Sequence, residues 1–230
     1  ALSGMFNGPM PGQLGCPVFV DGMQRGHYAF ADASSMFARA VYQGLFGIRV
    51  DRPRRVVHLT PQPPESWPEA AIDAPHFSYQ FKRAPGSVRI DWRSPVVTAV
   101  KLSLSIKAAR IQGVMIDGQS AKYELRPGSG LTWVDTLAGE ALSGTIQISY
   151  TPDTPVIPPV MATRQGQLFE LDLPAGKASR WSDPQGLLSD ARLEGDRLIG
   201  KVVGDSGPGL LFVLEDAADC PRWIPVALDI

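Results

Sequence analysis

The stretch His76–Arg93, HFSYQFKRAPGSVRIDWR, decides the fold class. Phe77, Tyr79 and Phe81 alternate with Ser78, Gln80 and Lys82, the period of a strand with one face buried. Ser87–Arg93 repeats the pattern with Val88, Ile90 and Trp92 on the apolar phase. Between them lies Ala84–Ser87, whose Pro85-Gly86 pair predicts a hairpin. Downstream, Val100, Leu102, Leu104 and Ile106 alternate in the same way. Ile111–Ile116 reads as a strand closed by Asp117-Gly118, a hairpin turn pair. Ala121–Arg126, Leu131–Leu137 and Leu142–Tyr150 continue the series. Strands at this spacing predict an antiparallel β-sandwich.

Upstream the pattern changes. Val56–Leu59 is a short strand, followed by TPQPPESWPEAAI, a stiff proline-rich connector in which Trp67 is expected to be a buried anchor. Before it, Tyr28–Ile48 (YAFADASSMFARAVYQGLFGI) carries Ala33, Met36, Phe37, Ala40, Val41, Leu45 and Ile48 at helical spacing. It is the one long amphipathic helix the chain predicts. Asp32 suits its N-cap or first turn, Gly47 its end. Residues 1–26 hold glycine or proline every few positions, so neither helix nor central strand persists there; only Cys16–Val20 looks strand-like.

Thr151–Pro159, TPDTPVIPP, reads as a second stiff linker. Strand signals resume at Gln167–Leu173, Ala191–Leu193, Leu198–Val203, Leu210–Leu214 and Ile224–Ile230, with Gly195-Asp196 as a tight turn. The expected fold is therefore mainly β: antiparallel sandwich domains preceded by a Gly/Pro-rich loop and one helix. Three stretches are expected: 1–52 as loop and helix, 53–152 as a β-sandwich, and 153–230 as a second small β unit or strands added to the first.

The bulk numbers exclude several functions. Hydrophobic content of 44% and charged content of 20% are those of an ordinary globular chain. Apolar runs are too short for a membrane-spanning helix. Net charge is −1 with no basic stripe, which argues against nucleic acid as a partner. Cys16 and Cys220 lie near opposite ends and have no Cys or His at metal-ligand spacing, so no metal is expected and no other cofactor is; two buried thiols are the default, with one long-range disulfide as the alternative. The opening ALSGMFNGP is not that of an intact signal-peptide precursor, which predicts processing or excision from a longer chain. Location is left open, with an extracytoplasmic or secreted setting favoured.

The order of elements carries a resemblance. FADASSMFARAVYQGLFGIRVD (Phe30–Asp51), VVHLTPQPPESW (Val56–Trp67) and VMIDGQS (Val114–Ser120) resemble the end of a six-hairpin (α/α)6 toroid glycoside hydrolase or glycoside phosphorylase. In that family the last inner helix ends in a phrase like GLxGIRPD, and a strand and a proline-rich segment with Trp lead into a β-domain. The resemblance implies a glycan substrate, a helix that belongs to a toroid, and a longer polypeptide packing on Tyr28–Ile48. It implies that the β-domain supports an active site built from loops between toroid helices. Phosphorylases of this kind carry Thr-Gly-Ser at the start of the last inner helix. Here Ala31-Asp32-Ala33-Ser34 stands at about that place, and an unpaired Asp repels phosphate, so hydrolysis is the better expectation.

Five residues around the helix start are candidates for that chemistry. Asp21 and Asp32 are the only acidic residues before Asp51, hence the candidate catalytic carboxylates; glycoside hydrolysis uses a pair, one as acid and one as base or nucleophile. Asp32 equally serves as a helix cap, and Asp21 as the turn residue of an Asp-Gly pair. Arg25, His27 and Tyr28 are candidate substrate-binding residues: a cation for a carboxylated sugar, an imidazole for a hydroxyl, and an aromatic face for a pyranose ring. His58 and His76 read as structural. Gly204–Gly209, GDSGPG, is similar to a serine-protease phrase with proline and glycine exchanged; without His and Asp context it reads as a turn. The alternative to the enzyme reading is a non-catalytic carbohydrate-binding or adhesive β-sandwich with a helical arm.

Overall fold

A computed structural model describes residues 16–18, 24–27, 31–153, 160–173, 178–216 and 219–230. The chain is mainly β. The first elements are β1 (Cys16–Val18), β2 (Gln24–His27), α1 (Ala31–Arg39), a π-helical continuation (Ala40–Leu45), β3 (Ile48–Asp51), β4 (Val56–Leu59) and β5 (Glu69–Ile72). Then come β6 (Ser78–Ala84), β7 (Ser87–Ile106), β8 (Ala108–Ile116), β9 (Gln119–Ser120), β10 (Tyr123–Gly128) and β11 (Leu131–Pro152). The last group is β12 (Met161–Ala162), β13 (Leu168–Asp172), β14 (Ala178–Ser182), β15 (Leu188–Glu194), β16 (Arg197–Val202), β17 (Pro208–Glu215) and β18 (Arg222–Asp229).

Two long strands build the first sandwich. β7 has 20 residues and β11 has 22. They pair antiparallel over almost their whole length, from Thr132 opposite Ile106 to Ser149 opposite Ser87. The register slips around Ala138–Ser143 in β11, beside the Ser94–Thr98 stretch of β7. At that slip both strands pass from one layer to the other, the usual effect of a bulge. In one layer β6 and β8 flank the pair, with β5 and β9 at the edges; in the other, β4 and β10 flank it, with β3 at an edge. The inner residues of both layers, among them Phe77, Phe81, Ile90, Val100, Leu104, Val134 and Ile146, form one buried cluster. Burying a large aliphatic or aromatic side chain contributes about 1.5–3 kcal/mol, so this cluster is the main source of stability. The sandwich thus has a closed end, where β7 and β11 bend, and an open mouth where they start and finish.

Most pairings are antiparallel, but β4 runs parallel to β7, and β12 parallel to β18. The C-terminal strands form two further sheets, ordered β12-β18-β17-β14 and β13-β16-β15. They bury a second cluster around Phe169, Leu198, Val202, Leu211, Val213 and Leu228. Contacts with the first sandwich run through one corner. The Gly130 N–H donates to Trp223 O (2.8 Å), and the Ile111 N–H to Asp219 O (3.1 Å). Thr132 Oγ1 donates to Pro221 O (2.8 Å). Cys220 is a free thiol, buried in the first cluster and donating to Ala108 O (2.9 Å); burial pushes its pKa up. Beside it Arg222 is clamped between Asp153 and Glu215, with the Glu215 bond at 2.7 Å.

Several expectations are corrected. The strands expected at Ser87–Arg93 and Val100–Lys107 are one strand, as are those at Leu131–Leu137 and Leu142–Tyr150. The alternation survives each bend, although solvent-facing Val96 and Val97 mask it in the sequence. Trp67 is no buried anchor: it is 41% exposed, and the buried members of the connector are Pro61 and Pro63. The helix is shorter than Tyr28–Ile48 among the described residues, and Ile48 lies beyond it, fully buried in β3. The π turn (Phe46 N–H to Val41 O, 2.9 Å) inserts a residue into the helical phase. Tyr42 and Phe46, rather than Val41 and Leu45, therefore reach the sandwich core.

Candidate functional site

The five sequence candidates fall at the least described part of the chain. Asp21 and Tyr28 lie outside the described residues. Arg25 and His27 fall on β2, which pairs antiparallel with β1, and Asp32 is the second residue of α1; for these three only the backbone is described.

What the described residues do show is how the helix is mounted. Its last carbonyls, which no helical bond satisfies, are taken up from outside. Leu45 O accepts from the Gln62 N–H and Gly47 O from the Thr60 N–H, both at 2.9 Å. Phe46 O accepts from the Tyr79 hydroxyl at 2.8 Å, and the two rings meet edge to face at 6.0 Å. Burial of Tyr79 raises its pKa, so the phenol stays a donor. Gly47 makes this junction possible. Its φ is +68°, and a Cβ there would lie 1.9 Å from Thr60 O. The helix is thereby riveted at its C-terminal end to the connector and to β6. The other end of its apolar face is not covered: Met36 is 61% exposed, and Phe37, Val41 and Leu45 are half-buried.

The electrostatics of the first sandwich are those of paired surface charges. Arg89 and Thr145 hold the Asp91 carboxyl below the usual carboxylate range. Burial alone would raise Asp135, but hydrogen bonds from Arg126 and Ser103 outweigh it and the net shift is down. Ser78 and Arg93 lower Asp73. A general acid working near neutral pH requires the opposite shift. Among the described residues no group of His, Cys, Asp and Glu is placed to hold a metal ion. His76 packs on Arg52, its Nε2 2.8 Å from the guanidinium. No helix among the described residues is long and apolar enough to cross a membrane.

Two of the clefts lie at the two ends of the first sandwich. One, of about 480 Å³, lies at the closed end between the β3–β4 turn and the bend of β7, lined by Val50, Arg52, Arg55, His76, Val96 and Val97. The other, of about 500 Å³, lies at the mouth. It is lined by Val88, Leu104 and Ile106 of the core, by Pro61, Gln62 and Pro63 of the connector, and by Trp133 and Tyr150 of β11. Both volumes are in the range of small-molecule sites. An ion pair between Lys107 and Glu65 (2.6 Å) ties the connector across the mouth. Sequence reasoning missed this groove. The signal available was Trp133: it occupies the solvent-facing phase of a strand whose inner phase is Thr132, Val134 and Thr136. There it is half-buried beneath the Arg126 guanidinium.

No protein-family model matches the chain, and no curated protein matches it.

Proposed function

We propose that this chain is the C-terminal region of a carbohydrate-active, glycoside-hydrolase-like protein. Its helix belongs to a helical toroid and its β region supports the active site. One observation carries the reading: among the described residues the helix is tethered to the sandwich through Leu45, Phe46 and Gly47 at its C-terminal end, and Met36 on its apolar face is 61% exposed. An amphipathic helix is stable when its face is packed, and a neighbouring helix of a toroid packs it. In this reading Asp32 and Asp21 are the carboxylates nearest the active site, and Arg25, His27 and Tyr28 contact the glycan.

The test is the native protein from its source, sized by intact mass spectrometry and assayed on a glycoside panel. A polypeptide several times longer that hydrolyses a glycoside, and loses turnover in Asp32→Asn or Asp21→Asn, supports the reading. A native chain of this size without glycosidase activity refutes it. A second reading, a non-catalytic carbohydrate-binding sandwich, gains from the groove at the mouth, whose lining includes two aromatic side chains and two prolines.

A further inference from the structure

The geometry points to the mouth groove as a binding site for a neutral oligosaccharide. The inference rests on the carbohydrate-directed reading for its choice of polyol. The groove itself supplies the rest of the argument.

The charged groups of the groove other than Arg83 are already ion-paired. Glu65 is paired with Lys107 at 2.6 Å. Asp153 is held by Arg222, which also holds Glu215. Arg83 keeps one guanidinium nitrogen on Pro64 O (3.3 Å) and lies over the Phe81 ring. An anionic ligand needs converging free cations, and Arg83 alone is on offer.

The neutral polar groups are unspent. The Trp133 indole N–H, the Tyr150 hydroxyl, the Gln62 amide and the Ser105 hydroxyl have no hydrogen-bond partner among the described residues. Together they supply donors and acceptors of both kinds around one cavity. Trp133 is half-buried, with Arg126 over its ring at 5.7 Å. Gly128 leaves it room: a Cβ there would stand 2.9 Å from the indole nitrogen. A ligand rich in hydroxyls and lined with C–H faces matches this mixture. The hydroxyls meet the free amide, phenol and indole, and the sugar C–H groups meet the aromatic rings and prolines. The connector lining is also rigid in advance, because Pro61 and Pro63 are buried and the Gln62 N–H is fixed on Leu45 O (2.9 Å). Preorganisation of this sort lowers the cost of binding.

The experiment is a ¹H–¹⁵N NMR titration of the full 230-residue chain. The probes are short xylo-, cello-, manno- and malto-oligosaccharides, with glucuronate and inorganic phosphate as anionic comparisons. Trp133→Phe assigns the Trp133 indole resonance by its disappearance. That resonance is expected to shift saturably with at least one neutral oligosaccharide, while the Trp92 indole, buried and without a partner in the core, stays still. Trp133→Phe keeps an aromatic ring and loses one donor, and Gln62→Ala alters an exposed side chain; each is expected to weaken binding about fivefold, the worth of one neutral hydrogen bond. The inference is overturned if no neutral oligosaccharide moves the Trp133 signal, if only the anions do, or if both variants bind as the parent does. A native enzyme that hydrolyses glycosides while the groove stays silent sinks the groove and leaves the activity reading standing. Binding without hydrolysis does the reverse.

Discussion

Replacing Gly47 with alanine is the sharpest perturbation of the helix mount. Two costs add. An L-residue at φ +68° sits in the left-handed region, which disfavours alanine by about 1–2 kcal/mol. The new methyl would also lie 1.9 Å from Thr60 O and 2.1 Å from Thr60 C. These are backbone atoms, so no side chain can swing away. Relief requires Thr60 to retreat by more than an ångström from a position held by its own N–H on Gly47 O and by the neighbouring Gln62–Leu45 bond. Losing those two bonds costs about 1 kcal/mol each. The expected total is roughly 3–4 kcal/mol, a fall in melting temperature on the order of 10 °C for a chain of this size. Gly118→Ala is the matched control. Its φ is also positive, at +79°, but a Cβ there meets nothing within 4 Å, so only the conformational cost of about 1–2 kcal/mol applies. Urea unfolding followed by circular dichroism reads both variants. If Gly47→Ala costs no more than Gly118→Ala, the helix is not pinned as described.

Three further outcomes are expected. The chain should bind a hydrophobic dye, and Met36→Glu should reduce that binding while costing less than about 0.5 kcal/mol of stability, as an exposed change does; equal dye fluorescence in parent and variant would mean that the helix face is not the apolar surface. Arg222→Met leaves Asp153 and Glu215 facing each other without their cation, and is expected to cost roughly 2–4 kcal/mol by chemical denaturation; a loss under about 1 kcal/mol would show the clamp to be idle. The third outcome concerns pH. Asp91 titrates lower in the folded chain than in the unfolded one, so between the two values the unfolded state binds more protons. Its stabilisation is complete above the unfolded carboxylate pKa of about 3.9 and disappears as pH falls through the folded value. Melting temperature should hold steady to about pH 5 and fall below about pH 4, and Asp91→Asn should flatten part of that fall; an unchanged slope would exclude Asp91 as a contributor.

The strands that alternate on a single face were legible from sequence, because burial of one face imposes a period of two. Phe77, Tyr79 and Phe81 are buried as that period requires, and so are Val88, Ile90 and Trp92. The hairpin at Pro85-Gly86 and the turn at Asp117-Gly118 were legible from local backbone chemistry alone. Other features were hidden by tertiary context. At Val96 and Val97 apolar residues face solvent where two layers meet, so one strand reads as two. β3 continues directly from the helix and β5 lies inside the proline-rich connector, so the neighbouring signals absorb them. The π turn shifts a helical phase that only the docking of Tyr42 and Phe46 reveals. The mouth groove gathers Gln62, Arg83, Ser105, Trp133 and Tyr150 from four separate segments. No spacing rule connects those numbers; the β7–β11 ladder and the parallel β4–β7 pairing do. At the helix start the residue types Asp21, Arg25, His27, Tyr28 and Asp32 were readable, and their side-chain arrangement was not.

The position of Cys220 has a bearing on how the chain is made. Its side chain belongs to the core of the first sandwich, yet it follows Ala108, its hydrogen-bond partner, by 112 residues. Thr132 likewise waits for Pro221, 89 residues later. During synthesis, at about 5–20 residues per second, every strand from β3 to β11 emerges before the thiol that completes their core. The nascent first sandwich therefore spends several seconds with one corner open, and it closes only when the last strand arrives. Chains tethered to the ribosome through a C-terminal linker long enough to clear the exit tunnel, ending before and after Cys220, should differ in protease resistance at β8 and β11, although neither strand differs between them.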